Sequence, residues 1–444
     1  MNIQLSDHFT NRKLLRFTLP SIGMMIFSSI YGVVDGFFVS NFAGSTPFAA
    51  VNLIMPAWMI IATAGFMFGA GGTAIVSRTL GENDPERANR YFSLIIYFSA
   101  AVGALFSILG ITFIRPISLF LGAEGELLHH CITYGRIIFA SVPFFVLQLM
   151  FQTFFVVAEK PQLGFLTTIL SGVTNIVLDA VLVMFLPREY KLAGAAIATA
   201  TGQVIGCMIP IVYFSRKNSS TLKLGKTRFE GKIIMEAGIN GSSEFMTSVS
   251  SSFIGMLYNA QFLKYVGESG VVAYGVVMYV NMIFSATFNG YTVGCAPVIG
   301  FHYGAENHSE LRSLLKKSLM NTGIMGVCMT VMAELFAAPL AGIFVGYDPA
   351  ILEFTIKGLR IFALAFALMG MVSFSSGFFT ALSDGVTSAA ISFLRTLVFQ
   401  SVSVLALPLI LDIDGIWYSA VVAEGLAIVV AVLFLGVKQK KYHY

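Results

Sequence analysis

Residues 16–40, RFTLPSIGMMIFSSIYGVVDGFFVS, form an apolar run with one carboxylate, Asp35, near its far end. About 20 apolar residues suffice for a helix to cross the hydrocarbon of a bilayer, so the run is long enough to span. Charge at bilayer depth is expensive and usually functional, so Asp35 points to an ion pathway. A second run, 163–186, LGFLTTILSGVTNIVLDAVLVMFL, carries the pair Asn175 and Asp179 in the same way.

Ten further runs of this kind lie at 47–77, 91–114, 131–158, 193–214, 236–263, 270–300, 313–337, 354–382, 387–411 and 416–437. Over its 444 residues the chain is 56% hydrophobic and 11% charged, against roughly 25% charged for a soluble domain. The expected fold is therefore an all-α polytopic membrane protein of twelve transmembrane helices. Arg12, Lys13 and Arg16 ahead of the first run resemble the start of a signal peptide. The run is too long for one and has no small-residue cleavage site, so it reads as the first span. Cys131, Cys207, Cys295 and Cys328 show no metal or redox spacing and read as packing residues.

With both termini placed in the cytoplasm, nineteen basic residues fall in inner segments and five (Arg115, Arg188, Lys191, Lys264 and Lys357) in outer ones. That bias fits the positive-inside rule and an even number of crossings. The expected location is the cytoplasmic (inner) membrane. The net charge of +4 then reflects topology and is no argument for nucleic acid as a partner.

The halves resemble each other at an offset of 223: Gly44 matches Gly267, Gly81 matches Gly304, Pro116 matches Pro339 and Phe139 matches Phe362. The loop Gly81-Glu82-Asn83 recurs as Gly304-Ala305-Glu306-Asn307. Six crossings return the chain to its starting side, which predicts two like-oriented six-helix bundles about a pseudo-two-fold axis along the membrane normal. The expected divisions are an N-terminal lobe 1–214, a cytoplasmic linker 215–235 and a C-terminal lobe 236–444. Both lobes lie in one chain, so a monomer is expected. Gly32 with Gly36, and Gly65 with Gly69, are spaced for close helix contact, and Pro56, Pro143, Pro210, Pro297 and Pro408 interrupt spans.

Asp35, Asp179 and Thr199 lie about five, seven and six residues from the outer ends of their spans, a common level at about 1.5 Å per residue. Asn175 and Asp179, four apart, share a helix face. Their oxygens can converge with the Thr199 hydroxyl and a backbone carbonyl such as that of Ala195, a hard-oxygen set suited to sodium. A buried aspartate serves a proton equally well. The competing reading is a satisfied buried network joining spans 1, 5 and 6, for which Arg136 is the nearest candidate partner.

Glu244, in Asn240-Gly241-Ser242-Ser243-Glu244, falls in the inner part of span 7. It either attracts a cationic substrate or relays a proton in the cleft, or is solvated from the cytoplasm. Glu334 and Glu424 lie near span ends, Arg395 has no evident partner, and no role is assigned to them. His129, His130, His302 and His308 read as surface residues of loops. Phe at 41 and Met at 20 suit a cleft for flat, apolar or cationic molecules. Phosphate-loop, His-Glu-x-x-His and Gly-x-Ser-x-Gly signatures are missing, so the chain reads as no enzyme and as needing no cofactor beyond a coupling ion.

On Tyr31-Gly32-Val33-Val34-Asp35, Arg78-Thr79-Leu80-Gly81-Glu82-Asn83-Asp84, Asn175 with Asp179, and Gly194-Ala195-Ala196-Ile197-Ala198-Thr199, the chain resembles the multidrug and toxic compound extrusion (MATE) family. The resemblance implies a V-shaped pair of bundles, set in membrane lipid, that exports organic, often cationic and amphipathic, compounds in exchange for inward H+ or Na+. It places Asp35, Asn175, Asp179 and Thr199 at the first-lobe cation site, and Glu244 at an acidic position of span 7. Gly370 to Leu382 carries no carboxylate, so the site implied is the first-lobe one. A flippase for a lipid-linked precursor shares the wider superfamily layout and is the alternative.

Overall fold

The computed structural model describes residues 3–444, which are helical almost throughout. The first half comprises α1 (Asn11–Phe38), α2 (Ser45–Gly81), α3 (Pro85–Phe120), α4 (Gly125–Val157), α5 (Pro161–Phe185) and α6 (Lys191–Ser215). The second comprises α7 (Gly231–Tyr265), α8 (Glu268–Gly304), α9 (His308–Val345), α10 (Pro349–Ala363), α11 (Phe366–Ala381), α12 (Gly385–Phe393), α13 (Gln400–Ala406) and α14 (Pro408–Tyr442). A π-helical turn, Val39–Ala43, follows α1, and another, Leu394–Phe399, joins α12 to α13.

The helix starts follow from the local sequence. Asp84 and Asp348 each accept a backbone N–H of the turn they begin, and Pro85 and Pro349 then occupy the first helical position, where no N–H is needed. Asn307 and Asp384 cap α9 and α12. The recurring loop recurs in backbone form as well: Asn83 and Glu306, 223 apart, both have left-handed φ of 60° and 54°. A further left-handed residue, Asp412 (φ 48°), breaks α14 between the stretches expected to be spans 11 and 12.

Among the described residues, ten helices are long and apolar enough to cross a membrane, eleven if the bent pair α10 and α11 is one span. Helix α7 is 35 residues long, yet it is not among them; Asn240, Ser242, Ser243, Glu244 and the serines that follow dilute its apolar character. The linker is shorter than expected, 216–230, because α6 runs to Ser215 and α7 begins at Gly231. It is pinned along α3: Asn89 Nδ2 donates to the Thr221 carbonyl (3.0 Å), and the Gly225 N–H donates to Ser93 Oγ (3.0 Å).

Helices α1–α6 pack mainly on one another, as do α7–α14, and the two groups meet where α2 crosses α7 and α8, and α1 crosses α8. Glycine makes this contact backbone to backbone. A Cβ on Gly241 would stand 1.7 Å from the Met67 carbonyl oxygen, and one on Gly71 would stand 1.9 Å from that of Ala237. These approaches lie in the linker-side halves, where Arg78 also pairs with Glu236 at 3.2 Å. Gly65 and Gly69 do admit α4, at Val146 and Thr153. Gly32 and Gly36 do not act as expected: both face open space, so Asp35 is not in a close-packed helix seam on that side. Pro56, Pro143, Pro210 and Pro297 sit inside continuous helices, and Pro408 sits at the start of α14.

Candidate cation-coupling site

Three helices bring the predicted residues together. Asp35 comes from the far half of α1, Asn175 and Asp179 from one face of α5, and Thr199 from α6. The Thr199 hydroxyl donates to Asp35 Oδ1 at 3.2 Å. Asn175 Nδ2 donates to Asp179 Oδ2 at 3.1 Å and lies 3.3 Å from Thr199 Oγ1. The carboxyls of Asp35 and Asp179 lie close enough to act on each other directly. Asp35, Asn175 and Asp179 are buried, and Thr199 is half-buried.

Two carboxyls this close need a proton or a metal cation between them, since two bare negative charges repel strongly where water is excluded. The leftover atoms point the same way. Among the described residues, Asn175 Oδ1 and Asp179 Oδ1 are buried acceptors without a donor, and a buried polar atom without a partner is costly. Hydroxyl, amide and carboxylate oxygens are the donor set that small hard cations take. Among the described residues no Lys or Arg pairs with either carboxyl, and Arg136 is exposed on α4. The satisfied-network reading therefore lacks its counter-charge.

One neighbour was not legible in the sequence. Tyr134 of α4 is buried within electrostatic reach of both Asp35 and Asp179; a lone Tyr in a chain with 16 of them carries no signal. Ala195 is buried inside α6, one helical turn before Thr199. Glu244 is exposed on α7 and has no hydrogen-bond or ion-pair partner among the described residues. That setting fits a cleft wall.

Arg395 does have a partner. Its Nε donates to both oxygens of Glu424, at 2.8 and 3.0 Å, and Nη1 reaches Ser373 Oγ at 2.7 Å. Residues 29 apart on different helices give no spacing signal. Glu334 lies 3.7 Å from Arg360. His302 is not a surface residue: it is buried near the end of α8, because the helix continues through the stretch expected to be loop.

The sequence profile of the MatE family matches twice, over residues 20–181 and 245–405. The multidrug export protein MepA of Staphylococcus aureus (strain MRSA252) is 25% identical over 427 residues, covering 96% of this chain and 93% of its own. A crystal structure of a MATE protein in complex with MaL6 superposes with a TM-score of 0.93, at 21% identity and 98% coverage of both chains. The outward-facing conformation of a multidrug resistance MATE family transporter of the MOP superfamily gives 0.92, at 21% identity, covering 98% of this chain and 97% of that one. The two matched stretches begin 225 residues apart, close to the internal offset of 223. Twin profile matches covering most of the chain place it: this multi-pass membrane protein belongs to the MatE family.

Proposed function

We propose that the chain is a secondary antiporter that exports drug-like organic molecules, often cationic, in exchange for H+ or Na+ entering the cell. The observation that carries this is the Asp35–Asp179 pair, buried among orphan oxygens with no basic partner. Family membership and the name of the staphylococcal relative support export of drugs. The excess of basic residues at the linker-bearing end supports a cytoplasmic position for that end and for both termini. The bundles meet backbone to backbone at that end, which supports a cleft that opens outward with Glu244 on its wall. A cation held by Asp35, Asn175, Asp179 and Thr199 neutralises the pair. Its passage down the membrane potential releases about 2.3 kcal/mol per charge per 100 mV.

A flippase for a lipid-linked anionic precursor calls for free basic groups in the cleft, and Arg395 is tied to Glu424. The test is dye efflux from everted vesicles under a proton or a sodium gradient alone. Asp35→Asn and Asp179→Asn are expected to slow gradient-driven efflux at least tenfold without changing the yield of folded protein. Normal efflux in both variants would reject the reading.

A further inference from the structure

The coupling cluster does not end at Asn175. Thr168, Ser171, Asn175 and Asp179 recur at three- and four-residue steps on one face of α5. They form a polar column about 16 Å long at 1.5 Å per residue. Glutamines on α4 continue it. Gln148 Nε2 donates to Ser171 Oγ at 3.1 Å, and Gln152 Nε2 donates to Thr168 Oγ1 at 3.2 Å. Ser171 Oγ in turn donates to the Gly202 carbonyl of α6 at 2.7 Å. All of these side chains are buried.

Helix α6 is shaped to admit the column. A Cβ on Gly202 would lie 2.9 Å from the Ser171 carbonyl oxygen, and one on Gly206 only 2.6 Å from Gln148 Cδ. At the linker-side end of the column, Gln148, Gln152, Thr167, Thr168, Gly206 and Pro210 help line a cavity of about 10 Å³, room for a single water. Pro210 has no N–H, so the Gly206 carbonyl four residues earlier loses its helical donor.

The orphan atoms share one sign. Among the described residues, Gln148 Oε1 on α4 and Gln203 Oε1 on α6 are buried without a donor, as are Asn175 Oδ1 and Asp179 Oδ1. A network built only to hold helices together satisfies its atoms. This one leaves lone pairs open along its length, and open lone pairs are met by water and by cations. We propose that the column between α4, α5 and α6 is a leg of the coupling path: through it a hydrated monovalent cation, hydronium or sodium, passes between Asp179 and the linker-bearing end. The path is separate from the cleft between the bundles. It rests on the reading of Asp35 and Asp179 as the coupling site and adds where the cation goes next. Phe155, packed at Gly164 one turn into α5, stands at the linker-side end of the chamber.

The test uses the full chain in proteoliposomes, with dye transport driven by a proton gradient in one arm and a sodium gradient in the other. Gln148→Leu keeps the volume and removes both polar atoms. It is expected to slow transport at least tenfold in whichever arm drives the unaltered protein, and that arm identifies the cation. Gln148→Asn, which keeps an amide beside the water, is expected to stay within about threefold. Thr168→Val, a hydroxyl exchanged for a methyl, tests the same path where folding is least disturbed, and is expected to slow transport severalfold. Thermal stabilisation of the detergent-purified protein by sodium or by acid reports loading of Asp35 and Asp179, and is expected to survive in all three variants. Unaltered transport in both Gln148→Leu and Thr168→Val overturns the proposal, as does an equal loss in Gln148→Leu and Gln148→Asn. If the coupling site itself is misassigned, Asp35→Asn and Asp179→Asn transport normally and the proposal goes with it.

Discussion

Asp384 shows how a single residue can matter without any signal in the sequence. It caps α12 through the Thr387 N–H at 3.3 Å, and its Oδ2 accepts from Lys438 Nζ at 3.1 Å and Tyr442 Oη at 2.8 Å. Burial pushes this carboxyl up, but Lys438, Tyr442 and Thr387 together outweigh it and leave the group below the ordinary value of 3.8. A carboxyl depressed by folding stabilises the fold at pH values above its unfolded value. That contribution drains away as pH falls through the lower folded value. Asp384→Asn is expected to cost about 2 kcal/mol near neutrality, the usual worth of hydrogen bonds to a charged group. It should also flatten the loss of melting temperature below about pH 4. A melting series of the purified protein from neutral pH into acid reads both effects; an unchanged acid slope would deny Asp384 this role. Asp35 and Asp179 were legible because carboxylates stand out in apolar runs. Tyr134, Asp384 and the Arg395–Glu424 pair were not, because their meaning comes from neighbours on other helices.

At the scale of elements, the segment ahead of α1 is more than a leader to the first span. The Leu5 N–H donates to Glu159 Oε1 at 2.7 Å in the α4–α5 turn. The Phe9 N–H donates to Glu310 Oε1 at 2.9 Å on α9, His8 Nδ1 meets Glu310 Oε2 at 2.6 Å, and Lys317 Nζ donates to the Phe9 carbonyl. The segment thus straps the two helix groups together at the closed end, with Leu5 and Phe9 buried. Hydrogen bonds to a charged carboxylate are worth about 1.5–3 kcal/mol each. Glu310→Ala is therefore expected to speed amide exchange across residues 3–10 at least tenfold and leave exchange within α3 unchanged. Equal protection in the variant would show that the strap is held by Leu5 and Phe9 alone. Most elements were readable from their apolar runs. The strap was not, because eight mixed residues have no period, and α7 was readable as a helix but too polar to pass as an ordinary span.

For the whole molecule, duplication explains both the seal and the single site. The 223-residue offset relates Arg78 to Phe301 and Gly81 to Gly304. A Cβ on Gly81 would meet the Phe301 carbonyl oxygen at 2.0 Å, and one on Gly304 would meet that of Arg78 at 2.0 Å. The two contacts exchange under one axis, as in an isologous interface. The same offset carries Asp35 onto Tyr258, whose hydroxyl donates to Gln400 Oε1 at 2.8 Å, and Asp179 onto Val402, so neutral residues stand in the second bundle where the first holds carboxyls. The symmetry was legible in the loops, but which helices touch was not, because glycine spacing alone did not separate the open Gly32 from the sealed Gly241. The seal can be tested at that point. A side chain on Gly241 meets the Met67 backbone at 1.7 Å, and backbone cannot yield as a side-chain tip can. Gly241→Val is therefore expected to force the bundles apart at the linker-bearing end and favour the conformation open there. Spin labels at the exposed loop residues Glu82 and Asn307 should report a longer separation in the variant, with net efflux slowed at least tenfold because the closed state can no longer form. An unchanged label distance with normal efflux would mean that the bundles do not close on Gly241 during transport.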